Sequence, residues 1–132
     1  ILPIAEIDFS AFPKDKLRIV DYSAKWLKGT FEYRNTPFKI PAKLPEKTEE
    51  LVRKYSLLAW EATGCQDYAR VDFRISKNGK PYVLEVNPNP DISPDTGFVR
   101  SAAAANINYE QLLITILSFA IKRSEYDTQV AS

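Results

Sequence analysis

Apolar and polar positions change rhythm several times along the chain. From Ile4 to Phe9 apolar residues alternate imperfectly with Glu6 and Asp8, the period-two signature of a strand with one wet face. A second short strand is expected around Leu17 to Val20. Between 21 and 45 the pattern breaks up: Gly29, Pro37, Pro41 and Pro45 punctuate scattered aromatics, which predicts a long loop with short extended pieces and no helix. Loops of that length in a small domain are often functional.

A helical period then takes over. Leu51, Val52, Tyr55, Leu58, Ala59 and Ala62 form one stripe of a helix expected over 46–63. Pro45 suits its first turn, Glu46, Glu49 and Glu50 favour its positive end, and Gly64 stands where a C-terminal cap belongs. Residues 67–76 and 80–87 return to strand composition around Lys77-Asn78-Gly79, and Asn-Gly is the strongest short-range hairpin signal. An alanine-rich helix follows near Phe98 to Ala105. The last helix opens with Asn108 and Gln111 at capping-box spacing, and Leu112, Leu113, Ile116, Leu117 and Ala120 are its expected buried face. A polar tail is expected over 125–132. These elements read as an α+β fold, mainly antiparallel sheet packed against helices.

Composition narrows the chemistry. With 132 residues, 45% of them hydrophobic, the chain has material for one core. Lysine and arginine number 18 against 17 acids, so the net charge of +1 leaves no electrostatic footprint for nucleic acid or an anionic membrane. Cys65 is the only cysteine and there is no histidine, which rules out a Cys/His zinc site within the chain, so any metal must be held by oxygen. The run from Leu112 to Ile121 is about half the ~20 residues a membrane helix needs. No basic n-region of a signal peptide is visible, so a cytoplasmic location is expected. The chain opens without methionine on a strand-like run, and is expected to be a fragment of a longer protein.

The hairpin gathers the chemistry. If Asn78 and Gly79 are the two central residues of the turn, Asp72 faces Glu85, Arg70 faces Asn87 and Arg74 faces Val83. Val71, Phe73 and Ile75 then share the other face with Tyr82, Leu84 and Val86. Opposed side chains have β-carbons about 5 Å apart, and like charges so placed destabilise a sheet, so two facing carboxylates call for a reason. A divalent cation supplies one: Asp72, Glu85 and Asn87 are hard oxygen donors suited to Mg²⁺, and Arg70 beside them suits a phosphoryl group or an oxyanion. The plainer alternative is a solvated ladder in which Arg70 and Arg74 neutralise the acids. A three-residue turn would shift the register by one.

The stretches Tyr68-Ala-Arg-Val-Asp-Phe-Arg74 and Tyr82-Val-Leu-Glu-Val-Asn-Pro-Asn-Pro90 together resemble the terminal part of an ATP-grasp domain, most closely that of D-alanine-D-alanine ligases. Ile1 to Pro3, Asp21-Tyr-Ser-Ala-Lys-Trp26, Thr63-Gly-Cys65, and Ala102 to Ala105 followed by Asn108-Tyr-Glu-Gln-Leu112 extend the resemblance over residues 1–124. It implies that the chain is an ATP-grasp C-terminal subdomain. Asp72 would hold one Mg²⁺ (or Mn²⁺), Glu85 would bridge two, and Asn87 would hold the second. Arg70 would face the acyl phosphate, and Lys25 would reach the ATP phosphates, with Trp26 in place of the usual tyrosine. The implied reaction joins a carboxylate to an amine at the expense of ATP, on amino-acid or peptide substrates, with upstream segments of the same enzyme completing the site. The family often forms dimers. A non-catalytic nucleotide- and metal-binding regulatory module is the alternative.

The resemblance departs after Pro90. The family continues with Gly-Met-Thr, whereas this chain has Asp91-Ile-Ser93, with Thr96-Gly97 near a later substrate-seating pair. Asp91, Ser93 and Thr96 are therefore candidates for a changed substrate pocket, against the plain reading as turn and capping residues around Pro90 and Pro94.

Overall fold

The computed structural model describes the backbone of residues 1–130 and the side chains of residues 1–124. Strand β1 is Glu6–Ile7, helix α1 Tyr22–Trp26, α2 Phe31–Arg34, β2 Phe38–Lys39, α3 Glu46–Ala62, β3 Arg70–Ile75, β4 Pro81–Asn87, α4 Gly97–Ala104 and α5 Tyr109–Val130. Two separate antiparallel pairs, β1–β2 and β3–β4, carry all the sheet among the described residues. The α+β class holds.

Local chemistry explains the ends of these elements. Helix α3 closes on Gly64 at φ +64°, with the Gly64 N–H donating to the Glu61 carbonyl and the Cys65 N–H to the Trp60 carbonyl, a Schellman cap. Helix α4 closes in the same way on Asn106 at φ +59°. At the start of α5, Asn108 and Gln111 exchange reciprocal 2.9 Å hydrogen bonds, the expected capping box.

The stretch 21–45 departs from expectation, because it contains two one-turn helices. Asp21 accepts from the Ala24 N–H at 2.9 Å and Thr30 from the Tyr33 N–H at 3.2 Å, so each turn is nucleated by a side-chain cap. Proline begins to recur only after both turns, from Pro37 onward, and so does not oppose them. No strand forms over 17–20, and the first strand shrinks to Glu6–Ile7. The polar tail expected from 125 falls on backbone that continues α5 as far as Val130; residues 131 and 132 lie outside the described residues.

The core sits between α4 and α5. Val99, Ala102 and Leu112 are buried there, with Leu2, Ile92, Phe98, Ile107 and Ile116 packed around them. Helix α3 lies against both strands of the hairpin. Its stripe is narrower than the periodicity suggests: Val52 is buried, whereas Leu58 is half exposed. In α5 likewise Leu112 is buried and Leu117 is exposed, because α4 covers only one side of the mostly apolar stretch 112–121.

Candidate functional site

The hairpin joining β3 to β4 turns on three residues. The Gly79 N–H donates to the Ser76 carbonyl at 3.0 Å and the Ser76 N–H to the Lys80 carbonyl at 2.9 Å, with Gly79 at φ +80°. This is the three-residue loop with a left-handed last position, not the two-residue Asn-Gly turn. Register near the turn is therefore moved by one, so Phe73 pairs with Val83, Arg74 with Tyr82 and Ile75 with Pro81. The expected pairing of Arg74 with Val83 is corrected accordingly, and Tyr82 joins the charged face.

A bulge then reverses the offset. Between the Phe73–Val83 and Asp72–Glu85 pairs Leu84 has no partner, and beyond it Asp72 faces Glu85 and Arg70 faces Asn87, as the simpler turn would have had them. Leu84 itself is 66% exposed and not part of a buried apolar face.

Arg70 dominates the electrostatics of this ladder. Its Nε donates to Asp72 Oδ1 at 2.8 Å and its Nη2 to Asp72 Oδ2 at 3.0 Å, a two-pronged pair along one strand. The hydrogen bond to Asp72 is the main reason the guanidinium holds its proton more firmly than usual; burial opposes this, and the charges of Asp72 and Glu85 add to it. Asn87 turns its Oδ1 to the Asn89 N–H at 2.9 Å. Glu85 is solvent-exposed.

The donor set fits Mg²⁺ as an open shelf. Among the described residues no group of three or more His, Cys, Asp or Glu is placed to hold a metal alone. Two carboxylates and one amide oxygen match an ion that takes one or two carboxylates from protein and completes its shell with phosphates and water. Asp72 would have to share its oxygens between Arg70 and the metal.

The remaining candidates are more scattered. Lys25 is exposed in the last turn of α1, which packs on α2. The segment leading into α1 is tied to the hairpin by Arg74, whose Nη1 donates to the Arg18 carbonyl at 2.8 Å. Asp91, Ser93 and Thr96 form a self-contained turn. Asp91 Oδ1 accepts from the Ser93 N–H at 2.8 Å and from Ser93 Oγ at 2.6 Å, and these bonds hold its carboxyl below the ordinary aspartate range. Thr96 Oγ1 donates to the Asp91 and Ser93 carbonyls, both at 2.9 Å. A cleft of about 490 Å³ lined by Thr63, Cys65, Asp67, Tyr68, Val86 and Arg123, among others, includes none of the expected site residues.

Residue arithmetic missed Tyr68 and Asn89. Tyr68 Oη donates to Asn89 Oδ1 at 2.8 Å, and its ring lies 5.7 Å from that of Phe98. Their places, two residues before Arg70 and two after Asn87, were a signal in the strand alternation; the Arg18 carbonyl contact left none.

Residues 4–118 match the family model described as "D-ala D-ala ligase C-terminus". The chain belongs to that family. It is 36% identical over 125 residues to a D-alanine--D-alanine ligase of Thermotoga petrophila, covering 95% of this chain and 37% of that protein. An uncharacterized protein, y4sG, of Sinorhizobium fredii is 32% identical over 123 residues, or 93% of this chain and 34% of its own length. Among solved structures, a D-alanine--D-alanine ligase from Bacillus anthracis superposes with a TM-score of 0.70 at 31% identity, over 96% of this chain and 38% of that chain. The enzyme from the same organism complexed with ATP superposes with a TM-score of 0.65 at 35% identity, over 70% of this chain and 32% of that chain. This member of the D-ala D-ala ligase C-terminus family thus spans about a third of the length of the curated relatives it matches.

Proposed function

We propose that the chain is the metal-binding part of an ATP-dependent ligase that joins a carboxylate to an amine through an acyl phosphate. The observation that carries this reading is the pairing of Asp72 with Glu85, flanked by Arg70 and Asn87 on the same face of one hairpin. Membership of the D-ala D-ala ligase C-terminus family supports it, as does likeness to a ligase crystallised with ATP.

In this reading Asp72, Glu85 and Asn87 would hold Mg²⁺, which when bound would supply charge neutralisation for phosphoryl transfer. Arg70 orients Asp72 and offers its remaining N–H groups to the developing negative charge. Lys25 closes over the ATP phosphates from the α1 segment. Asp91, Ser93 and Thr96 border the substrate, and the fixed charge of Asp91 weighs against a substrate carboxylate beside it. No covalent nucleophile is required, and Cys65 is a buried residue just past the C-terminal end of α3. The upstream segments supply the remainder of the nucleotide site.

The engagement of both Asp72 oxygens by Arg70 favours a second reading, a nucleotide-binding regulatory module without turnover. One experiment separates the two. The full-length protein is assayed for ADP release with Mg²⁺ across a panel of D- and L-amino acids, beside Asp72→Asn. Amino-acid-stimulated release that the variant abolishes supports the ligase, and ATP binding without release under any condition supports the module.

A further inference from the structure

Tyr68 and Asn89 lie outside every role assigned above, yet their contacts join the metal shelf to the loop after it. The Tyr68 hydroxyl donates to Asn89 Oδ1 at 2.8 Å, and the Asn89 N–H donates to Asn87 Oδ1 at 2.9 Å. The Tyr68 ring also rests against Phe98 in α4, at 5.7 Å between centroids and 59° between planes. Pro90, which follows Asn89, is fully buried. One tyrosine thus touches both sides of the 88–96 loop: Asn89 near its start and Phe98 just beyond its end.

We propose that Tyr68 and Asn89 are positioning residues that fix the carbonyl end of the Asn87 amide toward the cation and hold the 88–96 loop in register with it. The proposal rests on the reading of Asn87 as a metal donor. An asparagine amide has two faces of opposite character: its oxygen accepts and its NH₂ donates, and only the oxygen binds a cation. The Asn89 N–H selects the oxygen for its own side and leaves that oxygen a second lone pair. Asn89 can do this only if its own backbone is held, and the Tyr68 hydroxyl on its side chain holds it. Partners that orient a ligand in this way affect metal affinity by about 10–100-fold when removed. The same two residues bear the loop carrying Asp91 and Ser93, so metal occupancy and substrate recognition share one support.

The test uses the full-length protein with Tyr68→Phe, Asn89→Ala, the double variant and Asn89→Asp. Tyr68→Phe keeps the ring against Phe98 and removes only the hydroxyl. Mn²⁺ affinity is read by electron paramagnetic resonance with a non-hydrolysable ATP analogue, and amide exchange is followed over residues 88–96. Each single variant is expected to weaken Mn²⁺ binding about 3–30-fold, within or just below the range for loss of an orienting partner. The double variant should be no worse than Asn89→Ala alone, Asn89→Asp should retain affinity, and exchange over 88–96 should rise in Tyr68→Phe. Wild-type affinity in both single variants overturns the proposal, as does a double variant whose losses multiply or an Asn89→Asp variant as weak as Asn89→Ala. A wild-type protein that binds no Mn²⁺ overturns the metal shelf itself, and with it this proposal.

Discussion

Asp72 faces Glu85 across the hairpin because Leu84, unpaired in β4, cancels the one-residue offset introduced by the three-residue turn. Without the bulge Asp72 would meet Leu84, and Glu85 would point to the apolar face. The bulge thus does for the site what bulges commonly do near functional residues: it re-aims a side chain.

The charge this pairing creates has a cost that Arg70 offsets only once. Arg70 is engaged by Asp72 through two hydrogen bonds and Arg74 turns to the Arg18 carbonyl, so Glu85 faces the Asp72 carboxylate without sharing either contact. Glu85→Gln is therefore expected to leave the chain as stable or more stable by a few tenths of a kcal/mol in urea unfolding, the scale of a cross-strand charge pair. In the full-length protein the same variant should lower metal affinity and ligation by more than about 10-fold, since a ligand weighs more than its outer partners. Clear destabilisation without loss of metal affinity would mark Glu85 as a structural residue.

Gly79 is constrained twice. Its φ of +80° disfavours any side chain, and a Cβ there would stand 2.9 Å from Thr48 Oγ1, a buried hydroxyl that donates to the Gly79 carbonyl. Gly79→Ala should destabilise the chain by about 2 kcal/mol or more, beyond the ~1–2 kcal/mol of a left-handed residue alone. In a Thr48→Ala background the added cost of Gly79→Ala should shrink toward the backbone part. Denaturant unfolding of the four proteins of the cycle reads this directly, and strict additivity would show that the contact relaxes.

The β1–β2 pair is clasped at its edge by Asp8 and Lys39, 2.9 Å apart. The Lys39 hydrogen bond, followed by those from the Ser10 backbone and hydroxyl, holds the Asp8 carboxyl below the ordinary aspartate range. A depressed folded value means that the contribution is fully present above the unfolded carboxylate pKa and is lost as pH falls through the folded one. Asp8 should titrate by carboxyl NMR below the ordinary aspartate range. Asp8→Asn should lower stability at neutral pH, by an amount that shrinks as pH falls through the folded Asp8 value. A difference that persists undiminished into acid would assign the effect to something other than charge.

Lys25 sits exposed at the end of α1, on a segment anchored to the hairpin through Arg18 and Arg74. Lys25→Met should leave the melting temperature of this chain unchanged. In the full-length protein it should raise the KM for ATP by about 10-fold or more, the weight of one charge-assisted hydrogen bond to phosphate. An unaltered KM and kcat would return Lys25 to the status of a solvated loop residue.

How much of this was legible in the sequence depended on the range of the interactions involved. Helices α3, α4 and α5, the hairpin and the caps at Gly64 and Asn108 are set by residues within a few positions of one another, and the local pattern carried them. The one-turn helices at Asp21 and Thr30 were hidden by the density of nearby proline and glycine, although each cap obeys a local rule. The pairing of Asp72 with Glu85 was reached by counting back from a turn of the wrong length, since no local pattern marked Leu84 as unpaired. Only tertiary structure decided which face of α3 and α5 is covered, that Arg74 reaches the Arg18 carbonyl 56 positions away, and that Tyr68 holds Asn89. Those outcomes depend on how separate elements meet in space. Apolar period and capping chemistry say which stretches fold, whereas burial and long-range hydrogen bonds depend on the neighbours that packing brings.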